Sequence, residues 1–496
     1  MILFTLILLP FSYLMLGLLL KRPKIKRQLA LVFASANLVW TLVVLKSVNL
    51  QDIIVVNMGS WPAPYGISLV ADRFSAFMLL LAAFVFLLVT VYSTQSLDKE
   101  RRKNGYFFYS FGILLGVNGS FIAGDIFNLY VWFEVMLISS FILMGLGGER
   151  KQLEGSIKYL ILNLIGSMFF VAGIGLLYGK IGSLNMADIS YKMSLAKENL
   201  AALNPALILI FVGFAIKGAL FPFFFWLPAS YHTPPPAITA LFAGLLTKVG
   251  IYSMIRIFTL FLYHDFEFWS RLVLWMGALS MVVGVIAASS QSDFRKILSF
   301  HIISQAGYML IALGFFTEAG IAAAIFFIAH NMLSKTNAFL VAGWVHREKR
   351  SLNLKILGNM FQKSPVWGVV FFISAFSLAG LPPLSGFFGK YMVLKAGIEA
   401  NQIFISMIAL FVGLITLFSM VKIWLEVFWK LPPSDKRLPK DTEAKPANRM
   451  LAASLFMAAA IIGMGLFAEP IGEYCSLAAR DLLNPSKYIN YVLAIN

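Results

Sequence analysis

Four lysines lie deep inside long apolar stretches of the sequence, where a positive charge is costly. Near the centre of a bilayer a charged side chain costs about 2.5–3.5 kcal/mol even on the milder insertion scale, so we expect each lysine to have a use. Burial favours the neutral form of lysine, and such a residue can load and release a proton near physiological pH. The sequence therefore predicts a row of proton-handling groups at Lys217, Lys248, Lys335 and Lys390.

Three further basic residues, Arg256, Lys395 and Lys422, fall within about two turns of a predicted helix end. Long basic side chains at such positions can extend along apolar surface and leave the charge at the membrane interface. We predict that these three snorkel in this way, and a functional role is the alternative.

Glu134 is the one acidic residue near the centre of a predicted span, in DIFNLYVWFEVMLISSF. Among aromatic and aliphatic neighbours it should stay ionised only beside a cation, and Lys217 is the expected partner. Closing such a pair favours the charged forms of both groups, whereas opening it favours the neutral forms, so the pair can act as a switch. The alternative is a static structural ion pair.

His301 and His330 are the polar residues best suited to pass a proton between the lysines, because imidazole has an unperturbed pKa of about 6.5. His330 and Lys335 are five positions apart, which on a helix is a rotation of roughly 500° and points the side chains about 140° apart. They can face different cavities or successive points of one path. For each histidine the alternative is a hydrogen-bonded core residue.

Prolines interrupt two apolar stretches, each beside one of the deep lysines. Pro222 follows Lys217 in GFAIKGALFPFFFWLP, and Pro382 and Pro383 precede Lys390 in SLAGLPPLSGFFGKYMVL. Proline removes a backbone donor and clashes with the preceding turn, and freed backbone groups at membrane depth must be buried in protein or line a wet cavity. Two interrupted helices are typical of a transporter with discontinuous helices. A simple kink is the alternative for either one.

Composition assigns the chain to the membrane proteins. Hydrophobic residues make up 59% and charged residues 13% of its 496 positions, against roughly 45–50% and about 25% in soluble domains. Apolar runs of about twenty residues, enough to cross a ~30 Å hydrocarbon core, recur throughout. They predict an all-α polytopic protein with about fourteen transmembrane helices, approximately at 1–20, 29–50, 74–95, 106–123, 126–146, 159–179, 203–228, 237–262, 269–289, 298–316, 319–344, 366–397, 402–428 and 450–468.

The net charge of +17 follows the predicted loops and does not indicate a nucleic-acid-binding surface. With the N-terminus outside, the inner loops hold 25 lysines and arginines, and the outer loops and C-terminal tail hold 8. Because cytoplasmic loops are enriched in positive charge, this bias predicts the orientation and a surface that faces anionic lipid. The counts include Lys197 outside and Lys436, Arg437, Lys440 and Lys445 inside.

The two interrupted helices are the seventh and twelfth predicted spans, so equivalent helices run in opposite directions. This arrangement fits an inverted repeat of spans 4–8 and 9–13 with ion sites near the membrane midplane. We predict three N-terminal helices in 1–105, a first five-helix repeat in 106–262 and a second in 263–428. Residues 429–496 are predicted to form a cytoplasmic loop, helix 14 and a C-terminal tail.

Four motifs in collinear order, between about residues 65 and 428, carry a family resemblance: DIFNLYVWFEVMLISSF, GFAIKGALFPFFFWLPASYHTPPPAITALFAGLLTKVGIY, QSDFRKILSFHIISQAGYML and AGLPPLSGFFGK. They are similar to the proton-translocating antiporter-like subunits shared by respiratory complex I and the multisubunit Mrp-type cation/proton antiporters. Length and motifs most resemble the D-type Mrp subunits. The A-type and the L-type complex I subunits are longer at the C-terminus, and M-type subunits usually have glutamate where this chain has Lys390.

The resemblance implies a fourteen-helix fold with two inverted five-helix repeats and broken helices 7 and 12. It also implies roles for seven residues in a lateral, water-linked proton path. Glu134 and Lys217 would be an acid–lysine pair on helices 5 and 7, and Lys248 the central lysine on helix 8. Lys335 would be a relay on helix 11 and Lys390 the terminal lysine on helix 12, with His301 and His330 as polar groups between them. The implied partners are a large A-type subunit and small membrane subunits in the plasma membrane of a prokaryote. Protons and Na⁺ are the implied ions.

Other functions remain open from sequence alone. A proton-pumping subunit of complex I or of a membrane-bound hydrogenase would use the same groups under redox power. A stand-alone carrier of organic substrates or a non-transporting scaffold would not need the lysine row. We expect no metal, cofactor or active site of the chain's own, because metal-ligand spacing, a glycine-rich phosphate loop and a serine–histidine–acid arrangement are all lacking in the sequence.

Overall fold

The computed structural model describes residues 2–195, 200–432 and 447–495. Lys197, Lys436, Arg437, Lys440 and Lys445, which entered the predicted loop charges, lie outside the described residues. The described chain is predominantly helical, as predicted. Its long helices are apolar over most of their length, so the bilayer provides their solvent.

The N-terminal part holds three long helices, α1 (Ile2–Leu19), α2 (Pro23–Gln51) and α3 (Arg73–Ser96). Between α2 and α3 the chain forms a small antiparallel sheet of β1 (Ile54–Asn57) and β2 (Ser68–Ala71). This hairpin was not predicted from the sequence, and its strands are only four residues long.

The next segment, residues 99–261, contains the first of two helix interruptions. Its helices are α4 (Lys99–Lys103), α5 (Tyr106–Phe121), α6 (Ile126–Gly145), α7 (Arg150–Ile181), α8 (Met186–Leu195), α9 (Asn204–Lys217), α10 (Trp226–Ser230) and α11 (Pro236–Phe261). The short helix α8 lies in a region that was predicted to be a loop. The interruption falls between α9 and α10, where the prolines predict it.

The following segment repeats this order of helices, and its own interruption lies between α16 and α17. Its helices are α12 (Phe266–Ser290), α13 (Phe294–Gly314), α14 (Glu318–Lys349), α15 (Met360–Lys363), α16 (Pro365–Ala379), α17 (Ser385–Glu399) and α18 (Ile403–Ile423). A π-helical stretch, Trp424–Trp429, extends α18.

Three helices close the chain: α19 (Asn448–Leu466), α20 (Ala468–Leu482) and α21 (Pro485–Leu493). The segment predicted as a C-terminal tail therefore contains two helices. They pack back onto the protein, α20 against α14 and α3, and α21 against α8.

A local structure occurs twice and relates the two halves of the molecule. Asp125 caps α6 and forms an antiparallel bridge with Asn185, and Asp293 caps α13 and bridges Asn353 in the same way. The second pair follows the first by 168 residues. Helix α6 is the fifth long helix of the chain and α13 is the tenth. If the chain reverses direction at every long helix, an odd number of reversals separates the two, so they begin on opposite sides of the membrane. An inverted repeat requires this relationship.

The centre of the molecule consists of helices that are buried on every side. All residues of α11 that lie in its apolar window are buried, whereas most of those in α2 and α18 face outward. Ten helices of the described chain are long and apolar enough to cross a membrane, and α9 and α16 are shorter apolar helices beside the two interruptions. The polytopic class is thus as predicted, and the count of fourteen spans stays a prediction.

Candidate proton-transfer site

The first interruption begins directly after Lys217, which is the last residue of α9. Two side chains satisfy backbone groups near it: Trp226 Nε1 donates to the carbonyl oxygen of Ile216 at 2.9 Å, and Ser280 Oγ accepts from the amide of Phe221 at 2.9 Å. The predicted breaker Pro222 lies within the interruption. The freed backbone is therefore compensated inside the protein, as a membrane environment requires.

The second interruption separates α16, which ends at Ala379, from α17. Pro382 and Pro383 lie within it. Lys390 Nζ donates a 2.7 Å hydrogen bond to the carbonyl oxygen of Ala379 and lies 5.4 Å from the ring centroid of Tyr308. A deep lysine is therefore attached to the carbonyl end of the broken helix.

Glu134 and Lys217 come together through a third residue. Ser167, on α7, donates a hydrogen bond to Glu134 Oε1 and accepts one from Lys217 Nζ at 3.0 Å. Lys217 Nζ also lies 5.9 Å from the ring centroid of Phe133. The predicted partners are thus neighbours, but Ser167 joins them in place of a direct ion pair.

Lys248 and Lys335 lie on the two central helices α11 and α14, which pack against each other. Lys248 Nζ donates to the carbonyl oxygen of Ala243, on its own helix, at 2.5 Å. Lys335 is fully buried, and its Nζ has no hydrogen-bond partner among the described residues. No carboxylate of the described chain forms an ion pair with either lysine.

His330 faces the second interruption. Its Nδ1 is 2.9 Å from Ser385 Oγ, 3.2 Å from Ser334 Oγ and 3.4 Å from Ser377 Oγ. Gly386 permits this arrangement, because a Cβ there would lie 2.8 Å from His330 Cε1 and still closer to the carbonyl oxygen of Ser377. Three hydroxyl groups therefore converge on His330 Nδ1, and each of them can donate or accept a hydrogen bond.

His301 lies on α13 and pairs with α18. Its Nε2 is 2.5 Å from Ser419 Oγ. Several nearby buried polar atoms have no hydrogen-bond partner within the described chain: His301 Nδ1, Ser304 Oγ, both amide atoms of Gln305 and of Asn331, and His330 Nε2. Buried polar groups normally find a partner, and ordered water is the usual one where protein offers none.

The packing of the central helices brings part of this set together. Helix α14, which carries His330 and Lys335, packs against α11, α13 and α17. These three helices carry Lys248, His301 and Lys390, whereas Glu134 and Lys217 lie on α6 and α9.

The prediction that Arg256 snorkels is wrong. Its guanidinium is buried and makes two hydrogen bonds to the Asp72 carboxylate, at 2.6 and 2.8 Å. Asp72 immediately precedes α3 and lies outside the predicted span, so the sequence did not identify it as a partner for Arg256. Lys395 is exposed as expected, and Lys422 donates to the carbonyl oxygens that end α12.

Sequence reasoning missed the hydroxyl groups of the site. Ser167, Ser377 and Ser385 stand in ordinary apolar runs, and serine is common in membrane helices because it can bond to its own backbone. Only the packing of α7 against α9, and of α14 against α16 and α17, gives these hydroxyls a charged or imidazole neighbour. Among the described residues, no group of three or more His, Cys, Asp or Glu side chains could hold a metal ion.

Two helices are interrupted, and a buried lysine lies at the broken end of each. Together with the repeat of the five-helix arrangement, these features define a membrane protein of the antiporter-like class. The sequence matches the family described as NADH:quinone oxidoreductase/Mrp antiporter, TM, over residues 123–416. The chain therefore belongs to this family.

Relatives and a solved structure agree with this assignment. The chain is 44% identical to the D-type subunit of the Na⁺/H⁺ antiporter of Alkalihalophilus pseudofirmus, over 89% of each chain. It is 39% identical to the D-type subunit of the Na⁺/H⁺ antiporter of Bacillus subtilis, over 91% of this chain and 90% of that one. A chain of the Mrp complex from Dietzia sp. DQ12-45-1b superposes with a TM-score of 0.91 at 28% identity, covering 98% of this chain and 99% of that one. The predicted resemblance to D-type subunits is confirmed.

Proposed function

We propose that this chain is the proton-translocating subunit of a multisubunit Na⁺/H⁺ antiporter and no enzyme in its own right. Protons move along Glu134, Lys217, Lys248, Lys335 and Lys390, with His301 and His330 as intermediate groups. The names of the relatives support the class of transport. The match to a chain of an Mrp complex supports membrane-subunit partners. We propose that these partners are a large A-type subunit and small subunits in a bacterial plasma membrane.

The observation that carries this proposal is the position of the lysines relative to the two helix breaks. Lys217 ends α9, and Lys390 binds the last carbonyl of α16. A movement of either break therefore changes what its lysine contacts, and with it the stability of the ammonium form. Lys248, Lys335 and His330 are themselves buried and lie on the central helices α11 and α14.

The transport cycle follows from opening and closing of the Glu134–Lys217 pair. Closing the pair stabilises both charges, and opening it releases a proton from Lys217 toward Lys248 or draws one back. The driving force is the ion gradient, worth about 2.3 kcal/mol per charge for each 100 mV of membrane potential. We assign no Na⁺ site to this chain, because one acid among cations makes a poor oxygen-ligand cage for that ion.

The test is ion exchange by the assembled complex with Glu134→Ala or Lys248→Ala in this chain. Everted membrane vesicles report Na⁺-driven proton movement through a pH-sensitive dye, and native gels report assembly. Both variants should lose exchange at normal assembly. Lys395→Ala is the matched control, since its side chain is 59% exposed, and it should retain exchange. Full exchange in both Glu134→Ala and Lys248→Ala would overturn the proposal.

A redox-driven proton pump is the second candidate, because the same family includes quinone oxidoreductase subunits. The two differ in what drives the proton. Purified complex in liposomes should move protons when only a Na⁺ gradient is applied. Movement that requires an electron donor and acceptor would favour the redox alternative.

A further inference from the structure

We propose that the Ser167 hydroxyl relays a proton between Lys217 and Glu134. The inference rests on the proposed function, because it names the path that a proton takes inside the charged pair. It departs from a simple ion pair in one respect: the two charged groups communicate through a neutral side chain that can itself change partners.

Ser167 has three polar neighbours around one oxygen atom. Lys217 Nζ donates to Ser167 Oγ at 3.0 Å, and the hydroxyl donates to Glu134 Oε1. The carbonyl oxygen of Asn163, one turn back on α7, lies 3.1 Å from the same hydroxyl. The side chain is buried, with 4% of the residue exposed, so these neighbours and not bulk water decide where its proton points.

A serine hydroxyl has a single proton to donate and two lone pairs with which to accept. Ser167 therefore cannot donate to Glu134 and to the Asn163 carbonyl at the same moment. When Glu134 is ionised it is the stronger acceptor, because hydrogen bonds to a charged group are about twice as strong as those between neutral groups. When Glu134 is protonated, the Asn163 carbonyl becomes the competitive acceptor, and the hydroxyl turns away.

The transfer step is balanced in atoms and charge. Lys217 gives one ammonium proton to Ser167 Oγ while the hydroxyl gives its own proton to the Glu134 carboxylate. One N–H bond and one O–H bond break, and two O–H bonds form. Lys217 ends as a neutral amine, Glu134 as a neutral carboxylic acid and Ser167 as it began. Neutralising both groups together removes the need to separate two bare charges in an apolar site.

The backbone brings the relay into position. A Cβ on Gly166 would lie 2.9 Å from Ile216 Cγ2, so the glycine lets α7 approach α9 one residue before each reactive side chain. Ser167 follows Gly166, and Lys217 follows Ile216. The close crossing of these helices therefore sets the 3.0 Å contact between hydroxyl and ammonium.

The experiment compares Ser167→Ala with Ser167→Thr in the assembled complex. Removal of a positioned proton-transfer group typically costs a factor of about 10²–10⁴ in rate, and we expect Ser167→Ala to lower Na⁺-driven proton exchange by at least about 10-fold. Ser167→Thr keeps the hydroxyl and should restore most of the rate. Ser156→Ala is the matched control, because this serine is on the same helix, is 2% exposed and donates to the Leu153 carbonyl.

Two readouts separate a relay from a merely structural serine. A structural loss lowers the exchange rate by the same factor at every pH, whereas loss of the relay changes the pH at which the rate is half-maximal. A relay also depends on the hydroxyl group itself, so Ser167→Thr should return the half-maximal pH to that of the natural chain. Normal rate and pH profile in Ser167→Ala at normal assembly would overturn the inference.

The outcomes also distinguish this inference from the function on which it rests. If Glu134→Ala and Lys248→Ala both retain exchange, the proposed function fails. If those two lose exchange and Ser167→Ala does not, the proton passes between Glu134 and Lys217 by another route, and the relay alone is rejected.

Discussion

Lys390 Nζ donates a 2.7 Å hydrogen bond to the carbonyl oxygen of Ala379, the last residue of α16. The contact joins a group that can carry a proton to a backbone atom that the helix break sets free. Hydrogen bonds to a charged group contribute about 1.5–3 kcal/mol, roughly twice the neutral value. The protonation state of Lys390 and the geometry of the second break should therefore depend on each other.

Lys390→Met should abolish exchange and lower the stability of the subunit. Methionine matches the length of the lysine stem but leaves the Ala379 carbonyl without its donor, which costs about 1–3 kcal/mol for a buried acceptor. Thermal unfolding of the purified complex in detergent measures the stability, and vesicle assays measure the exchange. Lys395→Met, five residues further along the same helix at an exposed position, should change neither.

The Arg256–Asp72 pair should be strongly asymmetric in its response to substitution. In the natural chain the Asp72 carboxylate caps α3 by accepting from the amide of Ser75. Asp72→Asn keeps an oxygen that can accept this bond, but it leaves the buried guanidinium of Arg256 unpaired. Breaking a buried pair in this way costs about 3–5 kcal/mol. Asp72→Asn with Arg256→Met removes the stranded charge and should recover much of that loss. Equal melting temperatures for the single and the double variant would contradict a buried ion pair.

The sequence predicted the positions of the helices and of both interruptions because apolar length and proline act locally. A run such as 237–262 must cross the bilayer as a helix whatever packs against it. Pro222 and the Pro382–Pro383 pair break helices through their own rings. The deep lysines could be recognised for the same reason, since their cost depends on depth alone.

Contacts between distant segments could not be predicted in this way. Asp72 reaches Arg256 across 184 positions of the sequence, and Ser167 reaches Lys217 across 50. A serine in an apolar run has no feature that identifies its neighbour on another helix. The error over Arg256 arose from this limit, because the proximity of a helix end was visible in the sequence and the aspartate opposite was not.

Asp125 should make stability depend on pH in the mildly acidic range. Burial raises the pKa of this helix-capping carboxyl to about 6, although the amides of Asn128 and Phe127 act in the opposite direction. A folded-state pKa above the unfolded value of about 3.9 means that the favourable contribution is fully present below the unfolded value. It is lost as pH rises through about 6.

Asp125→Asn removes this titration and keeps an acceptor for the Asn128 amide, which Asp125 Oδ1 now receives at 2.7 Å. The variant should therefore be more stable than the natural chain above pH 6, and the advantage should shrink toward pH 4. Melting temperatures of the complex across this range give the comparison. An advantage that is independent of pH would show that the charge of Asp125 is not its cause.

Cys475 offers a chemical measure of how the C-terminal helices are held. It is the single cysteine of the chain and is fully buried on α20, where burial raises the pKa of its thiol and keeps it unreactive. Asp481, near the end of α20, pairs with Arg73 and, at 2.8 Å, with Lys487. Both cations also pair with Asp52, so these four residues attach α20 and α21 to the N-terminal helices.

Asp481→Asn should loosen this attachment and expose Cys475 to a maleimide reagent. Labelling of a buried thiol requires local opening, and its rate follows the population of the open state. Loss of about 1 kcal/mol would raise that population roughly fivefold. Arg480→Ala is the matched control, because its pair with Glu318 is largely exposed and such pairs contribute little. Equal labelling of the two variants would mean that apolar packing, and not the ion-pair network, holds α20 in place.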